Sequence, residues 1–213
     1  MKSFVPWVAA LALSLFHAVG SAQLPQPPEI AARQYLLIDV TSQQVLAERD
    51  ADAQADPASL TKLMTAYLVF NAIRDGKLAL TQKIPVSERA WKERIGGGSL
   101  MFIDPKMSPT VEELLRGMIV QSGNDASVAL AEAAAGSVEQ FVTAMNRQAQ
   151  AWGFKTTQFK NVTGLSEAGH YSSAREVAFV AVKIILEHPT FYPLYSIRQY
   201  TFNNIKQDNR NML

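Results

Sequence analysis

Pro57-Ala58-Ser59-Leu60-Thr61-Lys62-Leu63-Met64-Thr65-Ala66-Tyr67-Leu68 is the stretch on which the reading of this chain turns. Leu60, Leu63, Met64, Tyr67 and Leu68 recur at i, i+3, i+4, i+7 and i+8, the spacing of one face of a helix. Asp56 is placed to cap that helix, Pro57 suits its first position, and Asp75-Gly76 closes it. The same stretch carries chemistry. Ser59 and Lys62 lie three apart, so their side chains project from one face and can touch. A serine hydroxyl is a weak nucleophile that needs a neighbouring base. No histidine is suitably placed, which leaves Lys62. Lysine acts as a base only with its pKa pulled down, and burial on the inner face of an apolar helix does that. In the first turn, free backbone N–H groups and the positive end of the dipole favour the oxyanion formed when serine attacks a carbonyl. Ser-x-x-Lys alone is a common chance pattern, so the rest of the chain must decide.

Upstream, Gln34 to Val40 is aromatic and branched, Thr41 to Gln44 is polar, and Val45-Leu46-Ala47 is apolar, which predicts a hairpin. Downstream, Val111, Leu114, Leu115, Met118 and Ile119 repeat the helical spacing behind a Thr110-to-Glu113 capping box. That helix stops at Ser122-Gly123-Asn124, where a turn can aim a hydroxyl and an amide into a cleft. Two further helices are expected after Ser137, with Gln140 at the capping-box position, and after Ser173, with Glu176 there. Most of the chain from 57 to 188 therefore reads as helical, and Tyr200-Thr201-Phe202 as a strand. Gly96-Gly97-Gly98-Ser99 makes a loop that can border a site. It is no phosphate loop, since no Gly-Lys-Ser/Thr follows.

The 213 residues carry 20 Lys+Arg against 19 Asp+Glu, 48% hydrophobic side chains and no cysteine, the profile of a globular protein. A net charge of +1 provides no basic field for a phosphate backbone, so no nucleic-acid partner is expected. Zero Cys removes disulfides and thiolate catalysis. The three histidines, at 17, 170 and 188, are not spaced as ligands, and no metal is expected. Lys2, the apolar run Phe4 to Phe16 and the small residues Gly20-Ser21-Ala22 predict an export signal over residues 1–22. That run is too short for a membrane span of about 20 residues. Residues 23–32, with Pro25, Pro27 and Pro28, read as an extended leader before a domain over 33–213.

Taken together, Pro57 to Thr65, Gly98-Ser99-Leu100-Met101-Phe102 and Ser122-Gly123-Asn124-Asp125-Ala126 resemble the penicillin-binding proteins, specifically the low-molecular-mass serine D-alanyl-D-alanine carboxypeptidases (peptidase S11). That superfamily is marked by S-x-x-K, a serine-x-asparagine element and K-T-G. Asn161 to Leu165, Gly169 to Arg175, Thr201 to Asn204 and Asn209-Arg210-Asn211 are also similar to that subfamily, so the likeness runs from about Arg33 to the last residue. It implies an α/β fold, a sheet domain with an inserted helical domain and the site in the cleft between them. It also implies that Ser59 forms an acyl-enzyme with a peptidoglycan stem peptide ending in D-Ala-D-Ala. Lys62 would then be the base and Ser122 the proton relay, with Asn124 and Ser99 binding substrate. β-Lactams would acylate the same serine, no cofactor is implied, and the setting would be the bacterial periplasm.

No Lys-Thr-Gly occurs in the chain; Lys155-Thr156-Thr157 lies too early and lacks glycine. The expectation is a chain that stops before the K-T-G strand, with C-terminal sheet strands and any membrane-anchoring domain missing, and with weak stability and activity. A class A β-lactamase is disfavoured by Ser-Gly-Asn in place of Ser-Asp-Asn and by the lack of an E-x-x-L-N string. A related endopeptidase or a non-catalytic cell-wall peptide binder are the alternatives.

Overall fold

The computed structural model describes residues 29–211, so the 1–22 signal and most of the 23–32 leader lie outside the described residues. A hairpin comes first. β1 (Tyr35–Asp39) pairs antiparallel with β2 (Gln44–Arg49), with a bulge at Leu37/Ile38. No glycine is present in its turn; Gln43 takes the left-handed conformation at φ 58°, and Asp39 Oδ1 accepts from the N–H groups of Thr41 and Ser42. A short polar side chain thus satisfies the turn that glycine would otherwise relax.

The helices follow as α1 (Thr61–Arg74), α2 (Glu88–Lys92), α3 (Val111–Val120), α4 (Asn124–Ala135), α5 (Val138–Ala151) and α6 (Ala174–Glu187). The Thr110–Glu113 capping box forms reciprocally at the start of α3. Ser137 caps α5 and Ser173 caps α6 by accepting from the N3 backbone N–H. At α6 the expected return bond from Glu176 does not form. Its carboxylate instead accepts from the N–H groups of Lys155 and Thr156 and from the Thr157 hydroxyl, because these three donors converge on the helix start.

The face expected to point inward on α1 is found in part, with Met64, Tyr67 and Lys62 buried as expected and the leucines of the stripe not. Leu60 is 56% exposed, and Leu63 and Leu68 are only partly buried, while Lys62, Met64, Thr65, Ala66, Tyr67, Val69 and Phe70 are buried. The reason is that α1 is packed by α3, α4, α5 and α6, so it is a central helix rather than a surface one with a single apolar stripe. Phe70 stacks on Phe191 with ring centroids 4.5 Å apart, and Tyr67 meets Trp152 edge-on at 4.8 Å, closing the core at the C-terminal half of α1.

β3 (Gln199–Phe202) and β4 (Ile205–Asp208) form a second antiparallel pair. β4 and α2 were not expected from the sequence. The signal for β4 was Asn203-Asn204, both at positive φ (47° and 62°), a two-residue turn of the kind that asparagine tolerates. The described strands make two separate two-stranded sheets. Arg175 ties the first to α6, with Nε and Nη2 on the Asp52 carboxylate and Nη2 also on Glu48. No described helix is long and apolar enough to cross a membrane.

Candidate active site

Ser59 sits in a 3-10 turn, Ala58–Leu60, that leads directly into α1, rather than in the first turn of the α-helix itself. Asp56 Oδ1 accepts the Ala58 N–H at 2.9 Å, and Ala58 is held left-handed at φ 45°. Such a conformation in a residue with a Cβ costs about 1–3 kcal/mol and needs support from its surroundings. Gly164 supplies it. At φ 84° it lies so close that a Cβ there would stand 1.8 Å from the Ala58 carbonyl oxygen. The serine itself is exposed, so its hydroxyl is open to a reactant.

Lys62 is 6% exposed, and its Nζ donates to Thr163 O at 2.6 Å and to Ser59 Oγ at 3.3 Å. Burial pulls its pKa from 10.5 to about 8, with Glu93 and Asp125 opposing the shift and Arg210 adding to it. A neutral Lys62 can give one hydrogen to Thr163 O and turn its lone pair toward Ser59, which reverses the polarity of the Ser59 contact without moving either atom. The pair is thus arranged for proton transfer from oxygen to nitrogen.

Ser122 stands at the junction of α3 and α4 at φ 62°, and its Oγ is buried with no hydrogen-bond partner. An unmade bond on a buried hydroxyl costs about 1–3 kcal/mol, which makes Ser122 a donor in need of an acceptor. Asn124 opens α4, is buried, and its N–H donates to Ser99 O at 2.8 Å. Its side-chain amide faces Gly98, where a Cβ would be 2.8 Å from Nδ2. Ser99 Oγ accepts from Arg210 Nη1, and Gln207 Nε2 donates to Leu100 O. The loop bearing Ser99 is therefore held between the start of α4 on one side and β4 with the segment after it on the other.

The structure joins Ser59 with Lys62 and Asn124 with Ser99 by direct contact. Leu165 lies beside both Gly96 and Gly98 and follows Gly164, so the 161–165 loop borders both pairs. Several residues here escaped sequence reasoning about chemistry. Asp125 accepts from the N–H groups of Met101 (2.8 Å) and Ile103 (3.1 Å) and pins the loop after Ser99. Asn161 Oδ1 accepts from the N–H groups of Thr163 and Gly164 and so shapes the turn that delivers the Thr163 carbonyl. Their sequence signal was membership of the stretches Ser122 to Ala126 and Asn161 to Leu165 that resemble the family, with no role attached to either residue. Among the described residues no three His, Asp or Glu side chains gather as a metal site.

Residues 21–213 match the family pattern of the peptidase S11 D-alanyl-D-alanine carboxypeptidases. The chain belongs to this family. The D-alanyl-D-alanine carboxypeptidase DacA of Escherichia coli K12 is 45% identical over 193 residues, 89% of this chain and 48% of the relative. Penicillin binding protein 5 from Haemophilus influenzae superposes with a TM-score of 0.84 at 43% identity, over 87% of this chain and 54% of that one. Penicillin binding protein 6B from E. coli gives a TM-score of 0.84 at 42% identity, over 90% and 61%. This D-alanyl-D-alanine carboxypeptidase family chain thus has the α/β penicillin-binding fold and spans about half the length of the curated relatives it matches.

Proposed function

We propose that the protein is a serine D-alanyl-D-alanine carboxypeptidase that trims peptidoglycan stem peptides. The observation that carries this is the buried Lys62 amine, seated between Ser59 Oγ and Thr163 O with its pKa lowered to about 8. Ser59 Oγ attacks the carbonyl carbon between the two terminal D-alanines while its proton passes to Lys62 Nζ. The tetrahedral oxyanion collapses to an ester on Ser59, and the C–N bond breaks. Ser122, whose hydroxyl lacks a partner, relays the proton to the departing D-alanine nitrogen. Water then adds to the ester, again losing a proton toward Lys62, and releases the shortened peptide. Asn124 and Ser99 hold the substrate backbone. β-Lactams, as mimics of the same terminus, acylate Ser59. Export to the periplasm through the 1–22 signal places the enzyme beside its substrate.

The test is covalent labelling. A fluorescent penicillin is expected to attach to Ser59, found by peptide mapping, with no label in Ser59→Ala. Label on Ser122 or Ser99 would overturn the assignment. Release of D-alanine from diacetyl-Lys-D-Ala-D-Ala tests turnover in the same preparation.

A further inference from the structure

The segment between Gln158 and Tyr171 is a closed excursion, since these two residues exchange backbone bonds of 2.9 and 3.0 Å. It is fastened to one side of α1 at three places. Thr65 Oγ1 donates to Val162 O at 2.9 Å, Lys62 Nζ donates to Thr163 O, and Thr61 Oγ1 meets His170 Nε2 at 2.8 Å. His170 stands at the neck of the excursion and is 6% exposed. Its other nitrogen, Nδ1, accepts the Lys160 N–H at 3.0 Å. A backbone N–H cannot turn away or change role, so Nδ1 must carry a lone pair and the proton belongs on Nε2, directed at Thr61.

We propose that His170 is a positioning residue for Ser59 and Lys62: as a neutral imidazole it clasps the neck of the 158–171 segment to Thr61 and so holds the Thr163 carbonyl on the Lys62 amine. Protonation opens the clasp on the side of the excursion, because an imidazolium sets a second N–H at Nδ1 against the Lys160 N–H, while Nε2–H still faces Thr61. The inference deepens the proposed function and rests on Ser59 and Lys62 being nucleophile and base. The groups around the ring bear on when this happens. Asp56, from the segment before the nucleophile turn, and Glu167, from the excursion itself, favour the cation. Lys160 packs along Gly169 as the nearby cation of the same segment, α1 meets the ring through the Thr61 hydroxyl, and the Phe159 ring lies edge-on at 5.9 Å. Burial outweighs the two carboxylates and keeps the ring neutral below the ordinary histidine value of 6.5.

Two consequences separate a positioning role from mere filling of space. Acid should loosen the turn that carries Thr163, and a side chain that still accepts from Lys160 but cannot gain a proton should abolish that acid response. The experiment follows the protein by NMR as the pH falls from neutral, reading the His170 ring nitrogens and the exchange protection of the Thr163 and Gly164 amides. Protection is expected to drop about tenfold or more as the ring titrates. In His170→Asn the side-chain oxygen replaces Nδ1 as acceptor, and the drop is expected to vanish. His170→Phe keeps the volume without either bond and is expected to show low protection at every pH; if it does not fold, the parent and His170→Asn carry the test. Penicillin acylation in the parent is expected to fall with acid more steeply than Lys62 protonation alone dictates, by about a further hundredfold when the geometry is lost, and in His170→Asn only as steeply as Lys62 protonation dictates. Flat protection through the ring titration, or an unchanged acid drop in His170→Asn, with label still on Ser59, overturns this role alone. A label elsewhere than Ser59 overturns the proposed function and this role together.

Discussion

Lys62 shows how one side chain is prepared for chemistry at the expense of stability. Its native pKa of about 8 lies below the ordinary 10.5, so the folded state binds this proton more weakly than the unfolded chain does. The resulting penalty is full below about pH 8 and is relieved as the pH rises toward 10.5. Lys62→Met, which removes the buried charge at similar volume, should therefore melt no lower than the parent at neutral pH. A gain of up to about 3 kcal/mol is available, less what the orphaned Thr163 carbonyl costs. Acylation would be lost. In the parent, acylation should rise with pH and level off above about 8, as the amine becomes neutral. Lys62→Arg keeps the positive charge and has no accessible neutral form, so labelling should fall by several orders of magnitude across that range, measured by stopped-flow.

Helix ends and tight turns behave differently according to whether they only stabilise or also aim a reactive group. The Thr110–Glu113 box closes α3 far in sequence from the nucleophile turn. Thr110→Ala should cost about 1 kcal/mol in urea denaturation and leave penicillin labelling intact. Gly164 is the contrasting case. At φ 84° with the Ala58 carbonyl against it, Gly164→Ala forces the backbone of one turn or the other to move. A loss of more than about 2 kcal/mol is expected, together with loss of labelling at Ser59. Normal labelling in a stable Gly164→Ala protein would show that the turn tolerates displacement and that Gly164 does not set the nucleophile.

Across the whole molecule the helical core is well covered, but the first hairpin is not. Leu37 is 56% exposed, Leu46 is 54% exposed and Val45 is 41% exposed, and Leu36, Ile38 and Val45 line a cavity of about 370 Å³ against Phe179 and Leu186. An exposed apolar two-stranded edge invites pairing with other chains. Leu37→Lys combined with Leu46→Lys should raise the concentration at which light scattering reports association, with little change in melting. Acid acts on the core itself. His170 and His188 are both buried with pKa values below the ordinary 6.5, burial being the leading cause in each. Their neutral forms stabilise the fold fully above 6.5, and that contribution is lost as pH falls through the native values. Melting should therefore decline on acidification before the carboxylates titrate, and replacing His188 with Gln should flatten part of that decline.

Much of this architecture is written in short-range pattern. The hairpin, the capping serines and threonine, the break at Ser122-Gly123-Asn124 and the Ser59–Lys62 spacing all depend on neighbours within about one helical turn, where chemistry and periodicity are directly readable. Three features were not. The burial of α1 nearly all round follows from four helices closing on it, so the stripe of Leu60, Leu63, Met64, Tyr67 and Leu68 located Met64 and Tyr67 inside but gave no sign of buried Thr65, Ala66 and Val69 or of exposed Leu60. The acceptor that holds the Lys62 amine is a backbone carbonyl 101 residues away, and a carbonyl has no letter in the sequence. His170, 109 residues from its partner Thr61, showed in the sequence only that it is not spaced as a metal ligand, because its two bonds, one to a backbone N–H and one to α1, are what give it a direction. Local pattern records how a segment prefers to fold; which charged or polar atom is stripped of water, and against what, depends on segments distant in the chain meeting in space.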